Sequence, residues 1–167
     1  MNKNVVTTII IFFAVVVGLI WIARPSNKQD KNLANSGSVL GGVFSVEESN
    51  FDFGTISMAA GKVSHMFKIK NSGSVKAEIS KIYTSCMCTS ASLIKGSSRK
   101  GPFGMPGHGF IPKINESFNP NEEAEVEVVF DPAAHGPAGI GKIERLVTIE
   151  VENGSPVEFM FSAFVKP

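Results

Sequence analysis

The chain has 167 residues, with 16 Lys and Arg against 15 Asp and Glu, enough for one domain with a real core and too short for two once an apolar leader is set aside. Lys3 is the only charged side chain before Arg24, so the remainder carries no net charge, and a nucleic-acid partner is not expected. Cys86 and Cys88, one residue apart, are the only cysteines, which excludes a disulfide-rich scaffold.

The first predicted element is a membrane anchor over residues 1–25. Val5 to Ile22 reads VVTTIIIFFAVVVGLIWI, apolar apart from Thr7 and Thr8, whose hydroxyls can bond to carbonyls of their own helix. At about 1.5 Å per residue, this run just spans a hydrocarbon core of roughly 30 Å. The segment ends Trp21-Ile22-Ala23-Arg24-Pro25, a poor match to the small residues of a signal-peptidase site, so retention as a signal anchor is expected over cleavage. Lys3 on one flank faces Arg24, Lys28 and Lys31 on the other, and that balance does not place the C-terminal part outside the cytoplasm. Residues 26–42 (SNKQDKNLANSGSVLGG) are polar, rich in Gly, Ser and Asn, and read as a flexible tether.

From residue 43 to 167, short segments of alternating polarity recur between turn signals. They are Val43–Val46, Phe51–Ile56, Lys62–Lys70, Val75–Tyr83, Glu123–Phe130, Lys142–Glu152 and Val157–Val165. About seven such strands predict an all-β, Ig-like sandwich. In the third, Val63, His65, Phe67 and Ile69 share the core face, with Ser64, Met66, Lys68 and Lys70 on the wet face. Val126, Val128 and Phe130 point inward opposite Glu125 and Glu127, as do Phe159, Phe161 and Ala163 near the C-terminus. Asn71-Ser72-Gly73-Ser74 and Asn153-Gly154-Ser155 predict hairpin-like turns.

Four motifs fall in a recognisable order: FDFGTI; G-x-V-x-H-x-F-x-I-x-N-S-G from Gly61 to Gly73; Ser85-Cys86-Met87-Cys88-Thr89; and NPNEEAEVEVVFDP. From Phe51 to about Val165 the chain thus resembles the bacterial family called domain of unknown function 1573. The resemblance implies an Ig-like sandwich that is usually exported, which puts the domain outside the cytoplasm, and it implies no established activity. Two departures stand out. Met87 occupies the place of a usual glycine between the cysteines, and the route onward includes the run Gly96–Gly109 (GSSRKGPFGMPGHG), expected to be a mobile surface loop.

The distinctive chemistry is concentrated at Cys86-Met87-Cys88. Two thiolates one residue apart suit a soft monovalent ion such as Cu(I), and thioether sulfur suits it too. Met105 and His108 in the Gly96–Gly109 run supply a second thioether and an imidazole, completing a candidate ligand set of Cys86, Cys88, Met87, Met105 and His108. The same cysteines could instead form a structural disulfide, as thiols outside the cytoplasm commonly do, or serve thiol–disulfide exchange. His65 is expected to be a hydrogen-bonded packing residue, and His135, in DPAAHGPAGIG, a solvated one. Met58 and Met66 read as gap-fillers or surface residues. Asn115-Glu116-Ser117 and Asn153-Gly154-Ser155 match the glycosylation sequon, a pattern short enough to recur by chance.

No catalytic constellation is present: the chain lacks G-x-S-x-G, H-E-x-x-H, a phosphate loop and a dinucleotide fingerprint. The expectation is a membrane-tethered, non-enzymatic binding or structural module of the cell envelope, needing no cofactor and meeting an envelope protein or its own copy. Cu(I) handling stands as the alternative, and a redox role of the cysteine pair as a second.

Overall fold

Alternation of polarity along the chain becomes two faces of a sheet, and two such sheets can bury their apolar faces only against each other. The computed structural model describes residues 43–167, all within the second of the two units into which the chain divides, Asn35–Pro167. The expected anchor over residues 1–25, with its span Val5–Ile22, and the tether at 26–42 lie outside the described residues. Among the described residues no helix is long and apolar enough to cross a membrane.

Among the described residues ten strands form: β1 (Phe44–Val46), β2 (Asn50–Ser57), β3 (Val63–Asn71), β4 (Ala77–Thr84), β5 (Thr89–Lys95), β6 (Ser98–Phe103), β7 (Glu116–Phe118), β8 (Glu123–Phe130), β9 (Gly141–Val151) and β10 (Val157–Lys166). One sheet has the order β1-β3-β8-β5-β6 and the other β2-β10-β9-β4-β7. All pairings are antiparallel except β2 with β10, which run parallel.

All seven expected strands are present. Phe67, Ile69, Val126, Val128, Phe159 and Phe161 are fully buried, as their register predicted. Aromatic rings join the layers: Phe67 of one sheet stacks on Phe159 of the other at 4.5 Å between centroids, and Phe130 meets Phe161 at 5.4 Å. Such pairs add about 0.5–1.5 kcal/mol each beyond the area they bury.

Three strands were not anticipated, β5, β6 and β7, and the second of them overturns the expectation that the whole run Gly96–Gly109 is a mobile loop. In β5, TSASLIK, the small residues Thr89 and Ala91 share the buried register of Leu93, and Ser92 is buried on the opposite face, so alternation is muted. Within the run Gly96–Gly109, Ser98–Phe103 forms β6, paired with β5, and Phe103 enters the core. Gly101 permits this: its φ is +118°, and an added Cβ would stand 2.9 Å from the Ala91 carbonyl oxygen. A single well-placed phenylalanine therefore makes a strand of a segment that composition assigns to a loop.

The turn at Asn71–Ser74 is also a correction. β3 and β4 lie in different sheets, so the turn carries the chain between layers and closes no hairpin, whereas Asn153–Ser155 does connect the paired strands β9 and β10. Asn71 is fully buried and organises the crossing. Its side-chain amide donates to the carbonyls of Val75 (2.9 Å) and Phe118 (3.0 Å), and its oxygen accepts from the Gly73 N–H (3.0 Å).

A candidate thiol and imidazole site at one end of the sandwich

The cysteines occupy a short turn, Ser85–Cys88, that carries the chain from β4 in one sheet to β5 in the other. The turn is tied to its surroundings at several points. The Thr84 hydroxyl donates to the Cys86 carbonyl (2.9 Å), and the Thr89 N–H to the same oxygen (3.1 Å). Ser85 is bonded to Leu146 of β9 through its N–H and its hydroxyl, each at 2.9 Å. The Cys88 carbonyl accepts from the Asp131 N–H at 2.8 Å, just beyond β8. A crossing held to three other elements keeps both sulfurs in defined positions.

Cys86 and Cys88 are joined as a disulfide, with Cα atoms 5.3 Å apart. Cys86 is 8% exposed and Cys88 3%, while Met87 between them is 54% exposed. The two sulfurs have different neighbours. Cys86 Sγ lies 3.2 Å from His135 Nε2 and accepts from the Cys88 N–H at 3.3 Å. Cys88 Sγ accepts from Arg145 Nε at 3.4 Å and lies 3.6 Å from Thr89 Oγ1.

The ligand atoms of Cys86, Cys88 and His135 all lie within 4.8 Å of one another. A cleft of about 500 Å³ opens beside them, lined among others by Cys86, Met87, Met105, His108, His135 and Arg145. Cys86, Met87, Met105 and His108 of the expected ligand set thus border this cleft, and Cys88, which does not line it, is bonded to Cys86. The Gly96–Gly109 run returns past the cysteines because β6 pairs with β5, and the Gly104 carbonyl accepts from the Thr84 N–H at 3.1 Å.

His135 is exposed, as expected, but it is not merely solvated, since its imidazole also reaches Cys86. The signal was indirect: Phe130 pairs with Thr89, so the residues after β8 must emerge beside Cys88. Arg145 was also missed. It falls on the inward register of β9 between Ile143 and Val147, both buried, and a cation there is a visible anomaly in the alternation. His65 is as expected, half-buried, stacked on Phe51 at 3.6 Å between ring centroids and paired through Nε2 with Glu48. Met58 packs against the core, and Met66 is exposed.

A second polar cluster ties the two sheets together beside β7. Lys95 reaches Glu122 at 2.9 Å and Glu116 at 3.2 Å, and Lys100 reaches Glu116 at 2.6 Å. Burial pushes the Glu116 carboxyl up, but hydrogen bonds from Lys100 and Lys95 outweigh it and hold the group below the usual glutamate range. Lys95 Nζ also sits 4.7 Å from the centre of the Phe118 ring.

Residues 44–104 match the family model described as protein of unknown function (DUF1573). No curated protein matches the chain. Among solved structures, a protein of unknown function from Porphyromonas gingivalis W83 aligns at a TM-score of 0.51 and 13% identity, over 83% of this chain and 51% of that one. The VesB protease of Vibrio cholerae aligns at 0.50 and 15% identity, over 74% of this chain and 32% of that one. The ASH/PapD-like domain of human CEP192 aligns at 0.45 and 12% identity, over 85% and 98%. This chain therefore spans about half of the first of these proteins and a third of the second, and at such identities the likeness concerns the fold alone. The family that the motifs resemble is thus the one that residues 44–104 match: DUF1573, a family of proteins of unknown function.

Proposed function

We propose that this chain is a binding module rather than an enzyme, tethered outside the cytoplasm by its N-terminal apolar segment, and that in its reduced state it holds a soft monovalent metal ion such as Cu(I). One observation carries the reading: two cysteine sulfurs and an imidazole nitrogen within 4.8 Å of one another, beside an open cleft. Two thiolates and one imidazole suit the low coordination numbers and soft-donor preference of Cu(I). Met105 and Met87 supply thioethers at the rim, and His108 a further imidazole. Metal binding requires the dithiol, because a sulfur engaged in a disulfide is no longer a thiolate ligand. The Ser85–Cys88 turn is held by Thr84, Leu146 and Asp131, contacts that do not depend on the S–S bond and support a preformed dithiol site.

The test is an anaerobic competition titration of the reduced, full-length chain with Cu(I) against a chromophoric chelator. Stoichiometric binding is expected, abolished by Cys86→Ser/Cys88→Ser and weakened at least tenfold by His135→Ala. Unchanged affinity in the double-serine variant would overturn the proposal. Tethering is tested separately, by alkaline extraction of membranes and protease access to the domain from the outer side.

A further inference from the structure

The surroundings of the two sulfurs are unequal, and that inequality bears on thiol chemistry whether or not a metal binds. We propose that the Cys86–Cys88 disulfide undergoes stoichiometric exchange with a dithiol protein, in one direction: the incoming thiolate attacks Cys86, and Cys88 leaves. Cys86 borders the cleft and is 8% exposed, whereas Cys88 is 3% exposed and does not line that space, so of the two it is Cys86 that a nucleophile from the cleft meets first. Exchange rates depend on which sulfur can be reached and on how well the other carries charge as it leaves. Arg145 supplies a permanent cation whose Nε donates to Cys88 Sγ at 3.4 Å, and Thr89 Oγ1 lies beside the same atom at 3.6 Å. A guanidinium N–H donating to that sulfur stabilises the negative charge that develops there as the S–S bond breaks. Cys86 Sγ instead has the His135 imidazole and the Cys88 N–H as its hydrogen-bonding neighbours among the described residues.

The steps balance as follows. The first partner thiolate forms an S–S bond to Cys86 as the Cys86–Cys88 bond breaks, and the electron pair leaves on Cys88 beside Arg145. The partner's second thiolate then attacks its own sulfur in the mixed disulfide, releasing Cys86 as a thiolate. The partner dithiol loses two electrons and becomes a disulfide. The pair gains those electrons, and the protons shed by the partner's thiols go to Cys86 and Cys88 or to solvent. In reverse, the reduced pair reduces a partner disulfide. The exposed Met87 and the cleft rim are the surface that such a partner meets.

The experiment uses the oxidised full-length chain in detergent with a chelator present, so that failure of the metal reading leaves it untouched. Reduced glutathione is added as the probe, exchange is stopped with acid at intervals, and the adducts are mapped by peptide mass spectrometry. At least tenfold more glutathione is expected on Cys86 than on Cys88. Equal labelling, a preference for Cys88, or no reduction under excess thiol would overturn the proposal. Arg145→Ala is expected to slow reduction at least fivefold and Arg145→Lys to restore most of the rate. A merely structural Arg145 would leave the site of adduct formation and the rate unchanged in a folded variant. The wild-type mapping stands even if a variant fails to fold.

Discussion

Asn71→Ala isolates the residue that holds the crossing between the sheets. Asn71 is fully buried, and its side chain makes three hydrogen bonds, to the Phe118 and Val75 carbonyls and from the Gly73 N–H. Truncation leaves each of these partners without its bond, but not at equal cost. Val75 is 65% exposed and Gly73 partly so, and their groups can turn to water, losing about 0.5–1 kcal/mol each. The Phe118 carbonyl bond is buried and has no such recourse, which adds about 1–3 kcal/mol. The total is roughly 2–5 kcal/mol, a large share of a typical domain stability of about 5–15 kcal/mol. With a urea m-value of about 2 kcal/mol/M, the midpoint is expected to fall by roughly 1–2.5 M at unchanged slope. Urea denaturation followed by far-UV circular dichroism, with the cysteines oxidised in both proteins, measures this. A shift below about 0.3 M, or roughly 0.5 kcal/mol, would refute the assignment of Asn71 as the organiser of the crossing.

Three further outcomes are expected. Phe103→Ala should cost about 3–5 kcal/mol, because the ring is 6% exposed in the core, whereas a residue of a mobile loop would cost almost nothing in the same denaturation. Gly73→Ala should destabilise through space alone, since an added Cβ would stand 2.8 Å from Val43 Cγ1, and Val43→Ala in the same chain should recover part of the loss in thermal unfolding. Glu116 has a folded-state pKa below its unfolded value, so its stabilisation is present above the ordinary glutamate range and is lost as pH falls through the lowered value. The difference in unfolding free energy between wild type and Glu116→Gln should therefore shrink on acidification through that window, and a difference constant with pH would count against the ion-pair account.

The motifs acquire physical reasons in the folded chain. In N-S-G, Asn71 supplies the hydrogen bonds of the crossing, and Gly73 gives room to Val43. The Ser85–Thr89 stretch is a crossing too, and the flanking Thr84 and Thr89 anchor it through short-range bonds. Both crossings sit between layers, where the backbone leaves one ladder before entering the next and its polar groups need side-chain partners.

Local pattern was sufficient for much of the domain. Alternation located seven strands and their buried faces and placed His65 on the core register, while ligand chemistry brought Met87, Met105 and His108 to attention beside the cysteines. These features are legible because side-chain facing in a strand repeats every two residues, and the chemistry of sulfur and imidazole needs no fold to be noticed. β5, β6 and β7 escaped for want of that contrast: β5 alternates small residues with smaller ones, β6 carries a single apolar anchor, and β7 has three residues. The partition of β3 and β4 into different sheets, and the meeting of His135 and Arg145 with the cysteines, were decided by tertiary structure alone. Those contacts join positions 49 and 57 residues apart, and which distant strands become neighbours depends on how two whole sheets close over one core.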